Sequence, residues 1–551
     1  MIRFFISIVF AVAIIPLNAQ LIVRWGNIDV RYPAEPGVSL KTSGVDNTIA
    51  WRGERVNLQL FVTNRGEEQQ VEYNFSDLKC GKYSIAAENI TGGFVQPVIT
   101  DKFTGCGHHA VDAHGENLSA DRITDINPTT MEADVTRGLW LTIQIPQNAK
   151  PGTYKGCVTV ASDGEKTTRS YNIKVLDRIL PEPKDWRFHL DLWQNPYAVA
   201  RVHNVELWSP EHFEKLRPYM VKLAAAGQKV ITATLTHKPW DGQTYDAFGS
   251  MVTWVKKADG SWWYDFTVFD RWVEFMMQCG IDKEITCFSM IPWRLAFRYY
   301  DQATDSHKEM KCAPGEEAYE QFWGGMLVEF SKHLKEKGWF DKTFIAMDER
   351  SLRQMQAAIK VIKKHAPGMK ISMAGNYHPE LEADITDYCL GLETYHMYTP
   401  ELLARRRSEG KISTYYTCCS AEYPNLFTFT NPADAEFIAL EALAKDLDGY
   451  LRWAYNSWTV DPEKDSRFIS WPAGDTYVIY PHSISSIRWE RLVQGIQQFE
   501  KYKILYDKAT KNKDKKTLNR LKKLLQHIEL TKIAEESGKM VNTFRAEINK
   551  L

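Results

Sequence analysis

After Pro181-Glu-Pro183 the chain passes into strand and helix in strict succession, and that succession limits its fold more than any other feature. Eight short apolar runs read as strands, at 188–192, 229–235, 285–291, 344–347, 370–374, 389–395, 412–418 and 449–455. Helical periodicity lies between most of them, at 211–226, 269–279, 317–337, 351–365 and 432–445, with a last helix at 483–502. Strands joined by helices return to the same edge of a sheet and pair in parallel. Eight such units are the number that closes a (β/α)8 TIM-type barrel. The helix after the fifth strand is the shortest link. A stretch at 252–266, with Asp259-Gly260 at its middle, reads as a hairpin inserted after the second strand.

The residues ahead of this repeat follow another rule. Alternating runs such as Val56-Asn-Leu-Gln-Leu-Phe-Val62 are separated by turn chemistry, as in Asn148-Ala-Lys-Pro-Gly152 and Ser162-Asp-Gly164. That spacing predicts an antiparallel β-sandwich over 20–180, with the barrel over 181–502. Residues 503–551 are Lys-rich with interspersed acids and with Leu518, Leu521, Leu524 and Leu525 at helical spacing, which predicts a short C-terminal helical extension. Residues 1–19 read as a signal peptide: Met1-Ile-Arg3 is basic, 4–16 is apolar, and Ala19 precedes the expected cut at Gln20. The expected mature chain is exported, periplasmic or extracellular, with no membrane insertion. Nine cysteines show no zinc-type spacing, and export permits a disulfide such as Cys80 to Cys106.

A barrel of this kind carries its chemistry at the C-terminal ends of its strands. Those ends collect Asp191 and Trp193, His237, Trp293, Asp348 and Glu349, Asn376 and Tyr377, Glu393, Tyr395 and Tyr398. They continue with Cys418, Trp453, Tyr455, Asn456 and Trp458, and Asp475 lies in a long loop after the eighth strand. Acids, amides and aromatic rings therefore converge on one rim. The formal net charge of −1 offers no field for nucleic acid or an anionic membrane. No Gly-rich phosphate loop and no HExxH motif is present. Aromatics at 12%, with 18 Trp, provide flat apolar faces that suit sugar rings, so carbohydrate is the expected partner class and no cofactor is called for.

Adjacent carboxyls repel each other unless they have different tasks, and sugar hydrolysis supplies two such tasks. An Asp-Glu pair after the fourth strand is similar to that of glycosidases acting on 2-acetamido sugars. Three features together resemble glycoside hydrolase family 123, the β-N-acetylgalactosaminidases. They are the Pro151-Gly-Thr-Tyr-Lys-Gly156 turn, the Met347-Asp348-Glu349 strand end, and the late segment Tyr480-Pro-x-x-Ser483-x-x-Ser486-x-Arg488-x-Glu490. The resemblance implies retaining, substrate-assisted hydrolysis, with Asp348 and Glu349 matching the catalytic motif. In that scheme the substrate's own acetamido oxygen attacks the anomeric carbon, and tethering makes such attacks equivalent to molarities of about 10⁵ M or more. Asp348 orients the acetamido N–H, and Glu349 protonates the leaving oxygen and then activates water. An ionised Asp348 should raise the pKa of Glu349. The strand must also turn at Asp348 for both acids to reach one sugar.

Tyr395 and Tyr377 are the candidates to donate to the acetamido oxygen, and Trp453, Trp458 and Trp293 are those for ring contact. Asn376, Asn456 and Asp475 are candidates to meet hydroxyls. The loop Cys106-Gly-His108-His109-Ala-Val-Asp112-Ala-His114 has metal-compatible side chains without a recognised motif, and the preferred reading is a loop bordering the barrel cleft. Two other readings stay open: a retaining glycosidase with Glu349 as acid/base and Glu422 as nucleophile, or a non-catalytic sugar-binding protein on a barrel scaffold. The sequence leaves GalNAc against GlcNAc, and the oligomeric state, undecided.

Overall fold

In a computed structural model, residues 21–32, 44–162 and 165–551 are described. The expected signal peptide and the Asp163-Gly164 turn lie outside the described residues.

The N-terminal region is a β-sandwich. One sheet runs in the order Leu21–Trp25, Arg55–Asn64, Thr136–Gln144, Ile90–Thr100, Asn117–Thr124, and the other contains Asn47–Arg52, Glu165–Ile179, Gly152–Ser162, Gln69–Phe75 and Thr129–Met131. Pairing is antiparallel except between Asn47–Arg52 and Glu165–Ile179, which run parallel. Alternation along the strands sends Leu58, Leu60, Val62, Leu139, Leu141, Val158 and Ile173 into the shared core.

The barrel strands are β1 (His189–Leu192), β2 (Val230–Thr234), β3 (Glu284–Phe288), β4 (Thr343–Met347), β5 (Lys370–Gly375), β6 (Asp387–Gly391), β7 (Ile412–Tyr416) and β8 (Gly449–Arg452). All pair in parallel, in sequence order from β2 to β8, and β8 returns to β1. The β1–β2 seam has one backbone bridge, Leu190 to Gln228. Amides fill the rest of it. Gln228 accepts from Leu192 N–H at 3.0 Å, and Gln194 accepts from Thr232 N–H at 2.9 Å. Ladder groups that would otherwise be orphaned in the core are thereby satisfied.

Four departures from the sequence reading affect the site. Strands β6, β7 and β8 stop two to four residues earlier than expected, because their apolar runs continue past the ladder into the loops. No helix joins β5 to β6, since residues 376–386 turn directly back into the sheet. The expected hairpin after β2 forms from Thr253–Lys256 and Trp262–Asp265, but a second hairpin, Ala296–Asp301 with Ser306–Lys311, joins it in a four-stranded sheet. Finally, helix Ile487–Lys511 runs unbroken across residue 503 and is followed by Lys515–Leu525 and Ile533–Ile548.

The segment leading into helix Ile487–Lys511 joins the two domains. Ser485 and Ser486 pair with Ile123 and Arg122, extending the first sandwich sheet by one short strand. Arg488 ion-pairs with Asp121 at 2.9 Å, both fully buried, and Tyr480 donates its hydroxyl to the same carboxylate at 2.6 Å. Glu490 meets Arg55 at 3.2 Å. The late segment that carried the family resemblance is therefore a clamp between sandwich and barrel and does not line the barrel mouth.

Candidate active site

β4 is buried along its whole length and ends at Met347. The chain then bends, so Asp348 and Glu349 leave the ladder together and both line one cavity of about 330 Å³ at the barrel mouth. The bend is held locally: the Glu349 N–H donates to Asp348 Oδ1 at 3.0 Å. Ser351 then caps the helix Leu352–His365, fixing the direction in which the chain leaves. Room for Glu349 comes from Gly375 at the end of β5, with φ +155°. A Cβ there would lie 3.3 Å from Glu349 Cγ and 3.4 Å from its Cα.

Asp348 is half-buried, and its carboxyl is pushed up to about 7. Burial is the main cause and the Glu349 charge the second. The Glu349 N–H and the indoles of Trp293 and Trp240 offset part of it. The expectation placed this upward shift on Glu349; the structure places it on Asp348, which is the more enclosed of the pair. Glu349 instead faces the cavity and accepts a hydrogen bond from the Tyr416 hydroxyl. That contact and the Glu349 charge raise the Tyr416 pKa further, beyond the effect of burial. Tyr416 is the last residue of β7. It was missed because the expected strand ran on to Cys418, although alternation from buried Tyr415 points to it.

The rest of the wall is aromatic and amide. Trp193 lies beneath, packed on Trp240 at 4.9 Å and on Phe288 at 4.5 Å between centroids. Trp453 meets Trp471 edge-on at 5.9 Å, and Trp471 is anchored through Nε1 to the Gln243 carbonyl at 2.9 Å. Trp293, Asn376 and Glu393 line the opening, and Arg350 covers the outer face of Trp293 at 5.2 Å. Asp475 also reaches the wall but is fully buried, paired with Arg452 at 2.7 Å, with its carboxyl raised to about 6 by burial against that cation's pull. Arg452 is held in turn by Asn425 Oδ1 at 2.7 Å.

The structure thus brings Asp348, Glu349, Trp293, Trp453, Asn376 and Asp475 to one cavity. Four candidates stand elsewhere. Tyr395 is buried and gives its hydroxyl to Glu441 at 2.6 Å. Tyr377 stacks on Tyr388 at 5.9 Å, away from the cavity wall. Trp458 is fully buried with its indole N–H on the Ile479 carbonyl at 2.7 Å. Asn456 makes a two-way amide pair with the Asn195 backbone, both bonds 2.9 Å. All but Tyr377 lie several residues past the true strand ends, where the chain has turned back under the rim. Glu422 is exposed and does not line the cavity.

A sandwich loop completes the wall. Cys106 is joined to Cys419 by a disulfide, and Cys80, the expected partner, is free. His109 N–H donates to the Ile469 carbonyl at 2.7 Å, and His108 Nδ1 pairs with Ser470 Oγ at 2.6 Å, which docks the loop on the barrel. His109 and His114 touch edge to face at 4.8 Å. Among the described residues, this loop's His and Asp side chains do not converge as a group of three close ligands.

A family model described as the glycoside hydrolase 123 catalytic domain matches residues 193–505, and one described as the glycoside hydrolase 123 N-terminal domain matches residues 25–162. No curated protein matches the chain. A family 123 glycoside hydrolase from Clostridium perfringens, whose structure was determined for the details of glycolipid glycan hydrolysis, superposes with a TM-score of 0.85. It shares 26% identity over 96% of this chain and 97% of its own. Bacteroides uniformis β-glucuronidase 3 aligns at 9% identity and a TM-score of 0.30 over 82% of this chain and 50% of its own. A family 20 exo-β-N-acetylglucosaminidase from Vibrio harveyi aligns at 10% and 0.20 over 69% and 82%.

Proposed function

The chain belongs to glycoside hydrolase family 123, and from that membership and the cavity's chemistry we propose that it hydrolyses terminal β-linked N-acetylgalactosamine with retention, using the substrate's 2-acetamido group as nucleophile. One observation carries the reading: two adjacent acids share a cavity of about 330 Å³, within the volume range of small-ligand sites. Asp475 on the same wall is spent on Arg452, and Glu422 stands outside. Glu393 lines the mouth beside Gly391 and suits a hydroxyl contact. A nucleophile carried by the sugar fits this arrangement better than one supplied by Glu422.

Burial, and then the Glu349 charge, push the Asp348 carboxyl up to about 7 in the free enzyme. The acetamido N–H would donate to Asp348 and favour its ionised form, leaving Glu349 to carry the proton toward the leaving oxygen. Ionised Asp348 offsets the positive charge of the oxazoline-like intermediate, in a site where burial makes that interaction strong. Glu349 returns as base for the water that opens the ring. Tyr416 holds the Glu349 carboxylate in place during both steps. Trp453 and Trp193 provide the flat contacts for the sugar and its acetyl methyl. The basic start and apolar run read at residues 1–19 support placing this enzyme outside the cytoplasm. Glycolipid glycans, the subject of the Clostridium perfringens structure, are the first natural substrates to screen.

The test combines nitrophenyl glycosides with a GalNAc-thiazoline inhibitor, which mimics the oxazoline. Nanomolar to micromolar inhibition and loss of turnover in Glu349→Gln are expected. Full activity at saturating inhibitor would exclude neighbouring-group participation, and turnover unaffected by Glu349→Gln would remove that residue from the mechanism.

A further inference from the structure

A second cluster lies inside the barrel at the end opposite the sugar cavity. His189, Glu284 and Asp387 are the first residues of β1, β3 and β6, and one ligand atom from each lies within 4.8 Å of the other two. Strands of four or five residues at about 3.3 Å each put this floor some 15 Å from the catalytic rim. The side chains are 9%, 3% and 2% exposed. Asp191, two residues along β1, is 3% exposed and faces the same group.

The polar atoms here are underused. Among the described residues, His189 Nε2, Asp387 Oδ1 and Asp191 Oδ1 have no hydrogen-bond partner. Ser372 Oγ donates to the other Asp387 oxygen at 3.0 Å, which orients the free one inward. The nearby cations are engaged elsewhere: Arg406 with Glu382 at 2.9 Å, Lys370 with the Asp341 carbonyl at 2.5 Å, and Lys229 with the carbonyls of Pro183 and Lys184. Three buried carboxyls without a cationic partner are expensive unless protonated or neutralised. The Glu284 and Asp387 oxygens lie within 4.8 Å of each other, so without a metal the two carboxyls can share a proton.

We propose that His189, Glu284 and Asp387 bind one zinc ion that ties β1, β3 and β6 together across the barrel floor, with the fourth position open to water. One imidazole nitrogen among carboxylate oxygens suits zinc better than the harder calcium or magnesium. Zinc bonds of about 2.0–2.2 Å place donors roughly 3.5 Å apart, so side chains now within 4.8 Å of one another must draw in by up to about 1 Å. Ser372 supplies the outer hydrogen bond that ligating carboxylates ordinarily have. A cavity of about 340 Å³ on the barrel floor, lined by His189 and Glu284, gives access. Lysines 229, 283, 342 and 370 line the same cavity and oppose the approach of a free cation, so loading belongs to folding. Binding displaces the shared proton into solvent, and the ion takes no part in the sugar chemistry.

The test is metal analysis of the full chain expressed with zinc supplied. About one equivalent of zinc is expected in the wild type and in Cys418→Ser, and less than about 0.2 in His189→Gln and in Asp387→Asn. Because a floor variant can fail to fold, the wild type is also stripped with a chelator. Its Tm should fall by about 5 °C or more and recover with zinc alone but not with magnesium. Turnover of a nitrophenyl glycoside at 25 °C should be the same with and without the ion. Zinc below 0.1 equivalent in the wild type overturns the proposal in favour of the shared proton. Zinc retained in both floor variants overturns it by locating the ion elsewhere.

Discussion

Asp348→Asn should make the protein more stable at alkaline pH while disabling it. The folded-state carboxyl titrates at about 7 against an ordinary value of 3.8. Below about pH 4 both folded and unfolded chains hold the proton, and the group contributes nothing. Between about pH 4 and 7 the folded chain keeps a proton that the unfolded chain has released, so stability falls as pH rises. Above about pH 7 the full penalty applies. Roughly three pKa units correspond to about 4 kcal/mol. Asp348 borders an open cavity, and water there reduces this to roughly 2 kcal/mol. Asparagine has no charge to desolvate and no repulsion with Glu349. Urea denaturation at pH 8 should therefore show the variant more stable by roughly 2 kcal/mol, with near equality at pH 4, while glycosidase turnover falls by about 10²–10³. A variant no more stable than wild type at pH 8 would refute the assignment of the raised carboxyl to Asp348.

Tyr416→Phe removes the hydroxyl that holds Glu349, and kcat should fall about tenfold with little change in KM. Arg452→Met strands Asp475 in the core and should cost about 3–5 kcal/mol by chemical denaturation, most of it recovered by adding Asp475→Asn. Cys419→Ser releases the sandwich loop from the cavity wall. KM for a nitrophenyl glycoside should rise several-fold with kcat nearly unchanged, and reductant on the wild type should reproduce the effect.

The barrel was legible because parallel strands buried on both faces are written as apolar runs, and helices between them carry a different period. The acid pair was legible because β4 ends where its apolar run ends. At β6, β7 and β8 the two ends do not coincide: Leu392, Cys418 and Ala454 continue the apolar pattern after the ladder has stopped. That overrun exchanged Tyr416 for Tyr395 and carried Asn456 and Trp458 under the rim. The disulfide was hidden for a different reason. Its cysteines are 313 residues apart, and no local pattern records a contact made only when the sandwich loop meets the β7 loop. Which acid of the pair is perturbed was likewise set by the burial of Asp348 at the barrel mouth, a fact of packing alone.

Ser485 and Ser486 from the tail of the barrel cover the Arg122–Ile123 edge of the sandwich, and Asp121 of the sandwich supplies the carboxylate for the buried Arg488 of the barrel. A barrel made without its N-terminal half would hold a buried guanidinium on carbonyls alone, without its carboxylate, and a sandwich made alone would present bare backbone to any neighbour. The two halves should therefore melt in a single transition, and each is the other's folding partner.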